Sequence, residues 1–288
     1  MSEFWYVASN GRCGTQFLAR QLSMVADGEQ IVHERMSLRL SSRTLFRNPE
    51  ALYSHLGRSP DLQGFFVRLT NRVKNGERQV FCGWPAFAWL DYMMERFSGK
   101  FRFVHLVRNP YDNAASHCTH HAMSITNLSR MEKLCKVFGT DPKVKFSQFA
   151  DRYNQFGPFE RQLLHWLEVT SFIHEHSAAP EFRGLFRFED LVASDDTALN
   201  EMMSQIIGRE VQASEAEPFD RVHKEIPWPL EFHVDPQLRA EVDALAKRLG
   251  YSQEVLDQAM NPERLQAIYC GKRFDLPCDP SISVISKT

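Results

Sequence analysis

Short apolar runs alternate along this chain with longer stretches whose apolar positions recur every three or four residues. The run Phe4-Trp5-Tyr6-Val7-Ala8 predicts a strand over 4–9. Similar patterns predict strands over 30–34, 79–82, 101–107 and 184–188. Phe101 to Val107 reads as an interior strand of a parallel sheet, although Arg102 and His105 interrupt it. Helical periodicity predicts helices over 14–26, 61–75, 86–97, 111–122, 128–137, 147–156 and 159–177. Three more follow at 196–207, 236–249 and 252–260, so the C-terminal part is mostly helical. This alternation argues for one α/β domain over 1–288, a parallel β-sheet flanked by helices on both faces. Such sheets bind ligands beyond the carboxyl ends of their strands. Residues 35–78 and 119–160 lie between strands and are long enough to cover such a site.

Composition narrows the classes. A net charge of -2 argues against a basic footprint for nucleic acid, so any anion site must be local. No apolar run reaches the ~18 residues of a membrane span, and the first strand starts too early to leave room for a signal peptide. A cytoplasmic protein is expected, with no membrane partner. Cys13, Cys82, Cys118, Cys135, Cys270 and Cys278 form no CxxC pair, which suits reduced thiols. Cys270 and Cys278 are close enough in sequence to bridge, a lesser alternative to reduced thiols.

The chemistry concentrates at two strand ends. After the first strand comes Ser9-Asn10-Gly11-Arg12-Cys13-Gly14-Thr15-Gln16, then a helix. Strand, glycine turn and helix together point backbone N–H groups at a phosphate. The turn lacks the Gly-Lys-Ser/Thr of nucleoside triphosphatases, and its only cation, Arg12, precedes the glycine. The second site follows the 101–107 strand, in Arg108-Asn109-Pro110-Tyr111-Asp112. Asn109 suits an N-cap and Pro110 a first helical position, leaving Arg108 at the strand's end. Ser116 falls eight residues after Arg108, where a hydroxyl and a guanidinium can hold one phosphate.

Arg12-Cys13-Gly14-Thr15-Gln16 and Arg108-Asn109-Pro110 with Ser116 resemble the two donor-binding motifs of sulfotransferases that use 3'-phosphoadenosine 5'-phosphosulfate (PAPS). Phe186 to Leu191 and Leu245 to Tyr251 are weaker echoes of the same family. The resemblance implies a P-loop-type fold and a 5'-phosphosulfate held by Arg12 and the amides of Cys13, Gly14, Thr15 and Gln16. It implies a 3'-phosphate held by Arg108 and Ser116, adenosine 3',5'-bisphosphate as product, and no metal. Arg12 would meet charge developing on the leaving oxygen. Glu34, 22 residues after Arg12, would be the base toward an acceptor hydroxyl or amine on a small molecule, glycan or peptide. The acceptor and the oligomeric state are not written in the motifs. His33 is the alternative base, and on a strand the two side chains would point to opposite faces. Phe81 to Ala86 departs from relatives that carry a Lys and a His there, which leaves a second cation unassigned.

Other readings remain open at this level. They are a nucleotide kinase, disfavoured by the missing Gly-Lys-Ser/Thr, and a non-catalytic nucleotide-binding protein of the same fold. His117, His120 and His121 suit the lining of an acceptor pocket, or a solvated face, better than a metal, since no carboxylate or Cys stands at useful ligand spacing. Cys13, at a helix start beside Arg12, is expected to have a lowered pKa. Lys224, Lys272 and Arg273 could close over the donor, with surface charge the simpler role.

Overall fold

The computed structural model describes residues 3–27, 30–34, 42–119, 135–214, 226 and 230–270. Five strands, β1 (Phe4–Ala8), β2 (Gln30–His33), β3 (Gln79–Cys82), β4 (Phe101–Val107) and β5 (Phe182–Arg187), form one sheet. Its order is β2-β3-β1-β4-β5, and every pair is parallel. Phe4 pairs with Gln79 on one side and with Phe101 on the other. The chain therefore leaves β1 toward one edge and β4 toward the other. The switch point lies between the carboxyl ends of those two strands, where such sheets open a crevice.

Burial on both faces explains the continuous apolar runs. Alternate residues of β1 serve different cores. Phe4 and Tyr6 pack with Phe65, Phe66, Phe87, Trp89, Phe101 and Phe103. Trp5 and Val7 pack with Leu18, Leu22, Val80, Val104, Met202 and Met203. The two polar interruptions in β4 have separate explanations. Arg102 is only partly buried and reaches Glu3 at 3.5 Å. His105 is 1% exposed, and burial drives its pKa down to about 3, so it sits there as a neutral ring.

Helices α1 (Thr15–Val25), α2 (Ser42–Leu45), α3 (Pro49–Gly57), α4 (Pro60–Lys74), α5 (Leu90–Arg96) and α6 (Pro110–Cys118) lie between or after the first strands. They are followed by α7 (Pro158–Glu175), α8 (Phe188–Leu191), α9 (Thr197–Ile207), α10 (Pro236–Arg248), α11 (Gln253–Ala259) and α12 (Pro262–Tyr269). Asn48, Asn109, Asp235 and Asn261 cap α3, α6, α10 and α12 through their side chains, each with Pro at the first position. A third core joins α6 and α7 to the C-terminal helices through Tyr111, Trp166, Leu238, Leu245 and Tyr251.

The five predicted strands are all present. The helix expected over 147–156 is instead two 3-10 turns, Ser147–Phe149 and Tyr153–Gln155. Phe146, Phe149, Tyr153 and Phe156 are all buried. Glu168 takes the N–H groups of Lys145 and Phe146, so tertiary contacts replace a helical ladder. The helix expected over 86–97 opens as a fully buried 3-10 segment, Trp84–Trp89, before α5. Helices α2, α3, α8 and α12 were not anticipated. The expected helix over 128–137 falls mostly outside the described residues, and Lys136 and Val137 are not helical. His120, His121, Lys224, Lys272, Arg273 and Cys278 also lie outside the described residues, and with Cys278 goes the question of its pairing with Cys270. Among the described residues, no helix is long and apolar enough to cross a membrane.

Candidate functional site

The turn between β1 and α1 needs three left-handed residues in four, Gly11 (φ 90°), Arg12 (φ 57°) and Gly14 (φ 78°). At Gly11 a Cβ would lie 2.9 Å from Trp84 Cγ, and at Gly14 2.6 Å from Phe188 Cε2. Only glycine meets both demands at those two positions. Arg12 is not a glycine, so its left-handed backbone is strained and must be held by its surroundings. Buried amides do the holding. Asn113 donates to the Gly11 carbonyl at 2.8 Å, and Asn10 donates to Asn113 Oδ1 at 2.7 Å. Gly14 brings no side-chain cap to α1, so the first-turn N–H groups keep no capping partner from it.

Cys13 does not have the lowered pKa expected of it. It is fully buried, and that burial pushes the thiol up to about 12 against the pull of Arg108 and Arg12. Its thiol donates to Asn10 Oδ1 at 3.3 Å, an internal strut of the turn.

The two motifs meet in space. Arg12 Nε donates to Ser116 Oγ at 3.1 Å, and Arg108 donates to the Arg12 carbonyl at 3.1 Å. Ser116 is thus in the reach of Arg12, where spacing alone assigned it to Arg108. Burial, and next the charge of Arg108, lower the proton affinity of Arg12. Arg108 also donates to the Tyr269 hydroxyl at 3.2 Å and lies 4.8 Å over the Phe188 ring. Tyr269 stands beside the cluster from 161 residues away, and nothing in its local sequence singled it out. The weaker echoes converge on the same turn. Glu189 accepts the Asn109 N–H at 2.9 Å and the Tyr251 hydroxyl at 2.8 Å, while Trp166 Nε1 donates to the Arg108 carbonyl at 3.1 Å.

Glu34 follows β2 and has a φ of 49°, its N–H donating to the Cys82 carbonyl at 3.0 Å. That left-handed step overturns the expectation that His33 and Glu34 diverge. His33 Nε2 lies 3.7 Å from Glu34 Oε1 and 3.2 Å from Thr15 Oγ1. Burial raises the Glu34 pKa, opposed by Arg12 and Lys136. Burial, and secondarily Arg20, lower that of His33, so it favours the neutral ring.

Lys136, like Tyr269, is a residue that sequence reasoning missed. It is 2% exposed. Its ammonium lies 2.9 Å from His117 Nδ1, 3.1 Å from His117 Nε2, 3.0 Å from Gln162 Oε1 and 5.0 Å from the Trp84 ring centre. It comes to rest beside the stretch that lacks a lysine of its own. The available signal was a lone cation inside the apolar run Cys135-Lys136-Val137-Phe138. His117, weighed as a pocket lining, is buried against it. Among the described residues, no group of three or more His, Cys, Asp or Glu side chains could hold a metal.

No protein-family model matches this chain, and no curated protein does either. Among solved structures, the sulfotransferase domain from the curacin biosynthetic pathway aligns with a TM-score of 0.50 at 14% identity, over 88% of this chain and 99% of that one. A sulfotransferase from Alicyclobacillus acidocaldarius aligns with a TM-score of 0.46 at 15% identity, over 90% and 96%. The likeness to the curacin-pathway domain is one of fold, and the fold here is a sulfotransferase-like α/β sheet flanked by helices.

Proposed function

We propose that this chain is a sulfotransferase that moves a sulfuryl group from PAPS to a hydroxyl or amine acceptor and releases adenosine 3',5'-bisphosphate. The observation that carries the reading is the Arg12–Ser116–Arg108 cluster at the switch point of the sheet. Two guanidiniums held together by fixed loops repel one another, and an anion carrying several charges offsets that repulsion. A nucleotide phosphorylated at both ends suits a pair of arginines beside a helix start.

In this reading the 5'-phosphosulfate rests on Arg12 and the amides from Cys13 to Gln16, and the 3'-phosphate on Arg108 and Ser116. The acceptor oxygen or nitrogen attacks sulfur as the bond from sulfur to the bridging oxygen breaks. The electron pair of that bond stays on the leaving 5'-phosphate, where Arg12 meets the growing charge. Glu34 takes the acceptor's proton. Its partial burial raises its proton affinity, which suits a base working near neutrality.

The test is labelled PAPS offered with a library of hydroxyl and amine acceptors. Label should appear on at least one acceptor class. At saturating donor, Arg12→Ala should lower turnover by on the order of 100- to 1,000-fold. Binding of the bisphosphate with no transfer to any acceptor would return the chain to a non-catalytic nucleotide binder. Full turnover by Arg12→Ala would remove its catalytic role.

A further inference from the structure

Lys136 stands apart from the motifs and is built into the site by tertiary structure alone. A lysine 2% exposed is costly to bury unless polar groups receive its ammonium. Here His117 and Gln162 receive it at 2.9 and 3.0 Å, and the Trp84 ring faces it. Those neighbours connect it to both halves of the site. A Cβ on Gly11 would lie 2.9 Å from Trp84 and 3.2 Å from His117, so both rings press against the turn that carries Arg12. Gly83, next to Trp84, packs so tightly on Glu34 that a Cβ there would lie 2.8 Å from Glu34 Cγ.

Glu34 is a partly buried carboxylate, and a base must be ionised to act. Among the described residues, the charged or titratable groups around it are His33 beside it, Arg12 on the β1 turn, Tyr6 on β1, Cys82 on β3 and Lys136. Burial holds Tyr6 and Cys82 neutral at neutral pH, and His33 favours its neutral form. Among the described residues, Arg12 and Lys136 are therefore the cations that oppose protonation of Glu34. An anionic donor engages Arg12 and brings negative charge of its own, which favours protonation of a nearby carboxylate.

We propose that Lys136 is a positioning residue of this site. Its ammonium, clamped by His117, Gln162 and Trp84 behind the β1 turn, is the standing cation that keeps Glu34 a carboxylate once an anionic donor has engaged Arg12. This assignment rests on the sulfuryl-transfer reading for its purpose, but not for its test.

The Glu34 carboxyl can be titrated by carbon NMR, assigned by its loss in Glu34→Gln, with and without adenosine 3',5'-bisphosphate. Lys136→Met should raise the Glu34 midpoint by about one pH unit, and Lys136→Arg should restore it. In turnover, Lys136→Met should be slow at neutral pH and recover as the pH rises, which a merely structural lysine would not produce. Lys136→Gln is the second neutral variant should methionine disturb the packing. An unmoved Glu34 midpoint in a folded neutral variant, with the bisphosphate present, overturns the proposal. A parent protein that transfers nothing from PAPS sinks the reaction reading separately, because the titration needs no turnover.

Discussion

His33 and Glu34 are neighbours in the chain, and only one backbone angle decides whether they can share a site. An extended Glu34 would send its carboxylate to the face opposite His33. Its φ of 49° instead brings the two functional groups to 3.7 Å. Proximity does not make their roles equal. His33 is held toward its neutral form and also meets Thr15 Oγ1, while Glu34 has its proton affinity raised by burial. Glu34→Gln should therefore keep the fold and bisphosphate binding but slow transfer by roughly 100- to 10,000-fold. His33→Asn should cost much less at the same acceptor and saturating donor. A dead His33→Asn beside an active Glu34→Gln would move the base to His33. The acid limb of transfer should lie above the ordinary carboxylate range, following the direction of the Glu34 shift.

Most elements owe their positions to local signals, and two segments, 84–89 and 147–156, are set by packing. Asn109-Pro110 starts α6 where the sequence placed it, and so puts Arg108 at the strand end. The 3-10 segment Trp84–Trp89 replaces the first turn of the expected helix, because all six residues are buried and the chain must turn from β3 at Gly83. Gly83 has a φ of 151° and no room for a Cβ against Glu34. Gly83→Ala should lower stability by about 1–3 kcal/mol in urea unfolding. It should also displace Glu34, and so reduce transfer more than bisphosphate affinity. Equal loss of both would mean that this segment supports the β1 turn rather than the base.

At the scale of the molecule, the order β2-β3-β1-β4-β5 brings two distant motifs to the carboxyl ends of adjacent strands. Arg12 and Ser116 are 104 positions apart, and Arg108 and Tyr269 are 161 apart, yet each pair is in hydrogen-bond contact. A ligand that bridges the two motifs should stabilise the whole fold. At 100 times its dissociation constant, adenosine 3',5'-bisphosphate should add about 2.7 kcal/mol without magnesium, read as a rise of a few degrees in Tm. ATP with magnesium should add much less, and Arg108→Ala should remove most of the gain. Equal stabilisation by ATP–magnesium with none from the bisphosphate would overturn the donor assignment.

The five strands and most of the longer helices were legible in the sequence. Burial on both faces writes continuous apolar runs in β1, β3 and β4, while the partly buried edge strands β2 and β5 keep shorter apolar stretches. Amphipathic helices write a 3.6-residue period. The two turns that carry Arg12 and Arg108 were legible as well, since glycine, an N-cap and proline each act on the backbone within a few residues. Tertiary structure decided the rest. The 147–156 segment lost its helix to aromatic burial and to the Glu168 carboxylate. Cys13 became a high-pKa strut because burial outweighed the neighbouring arginines. Lys136 entered the site because His117 and Gln162, 19 and 26 positions away, receive its charge. Local patterns record which face of an element is buried. They do not record which buried polar groups meet, because those pairings depend on how the elements are stacked.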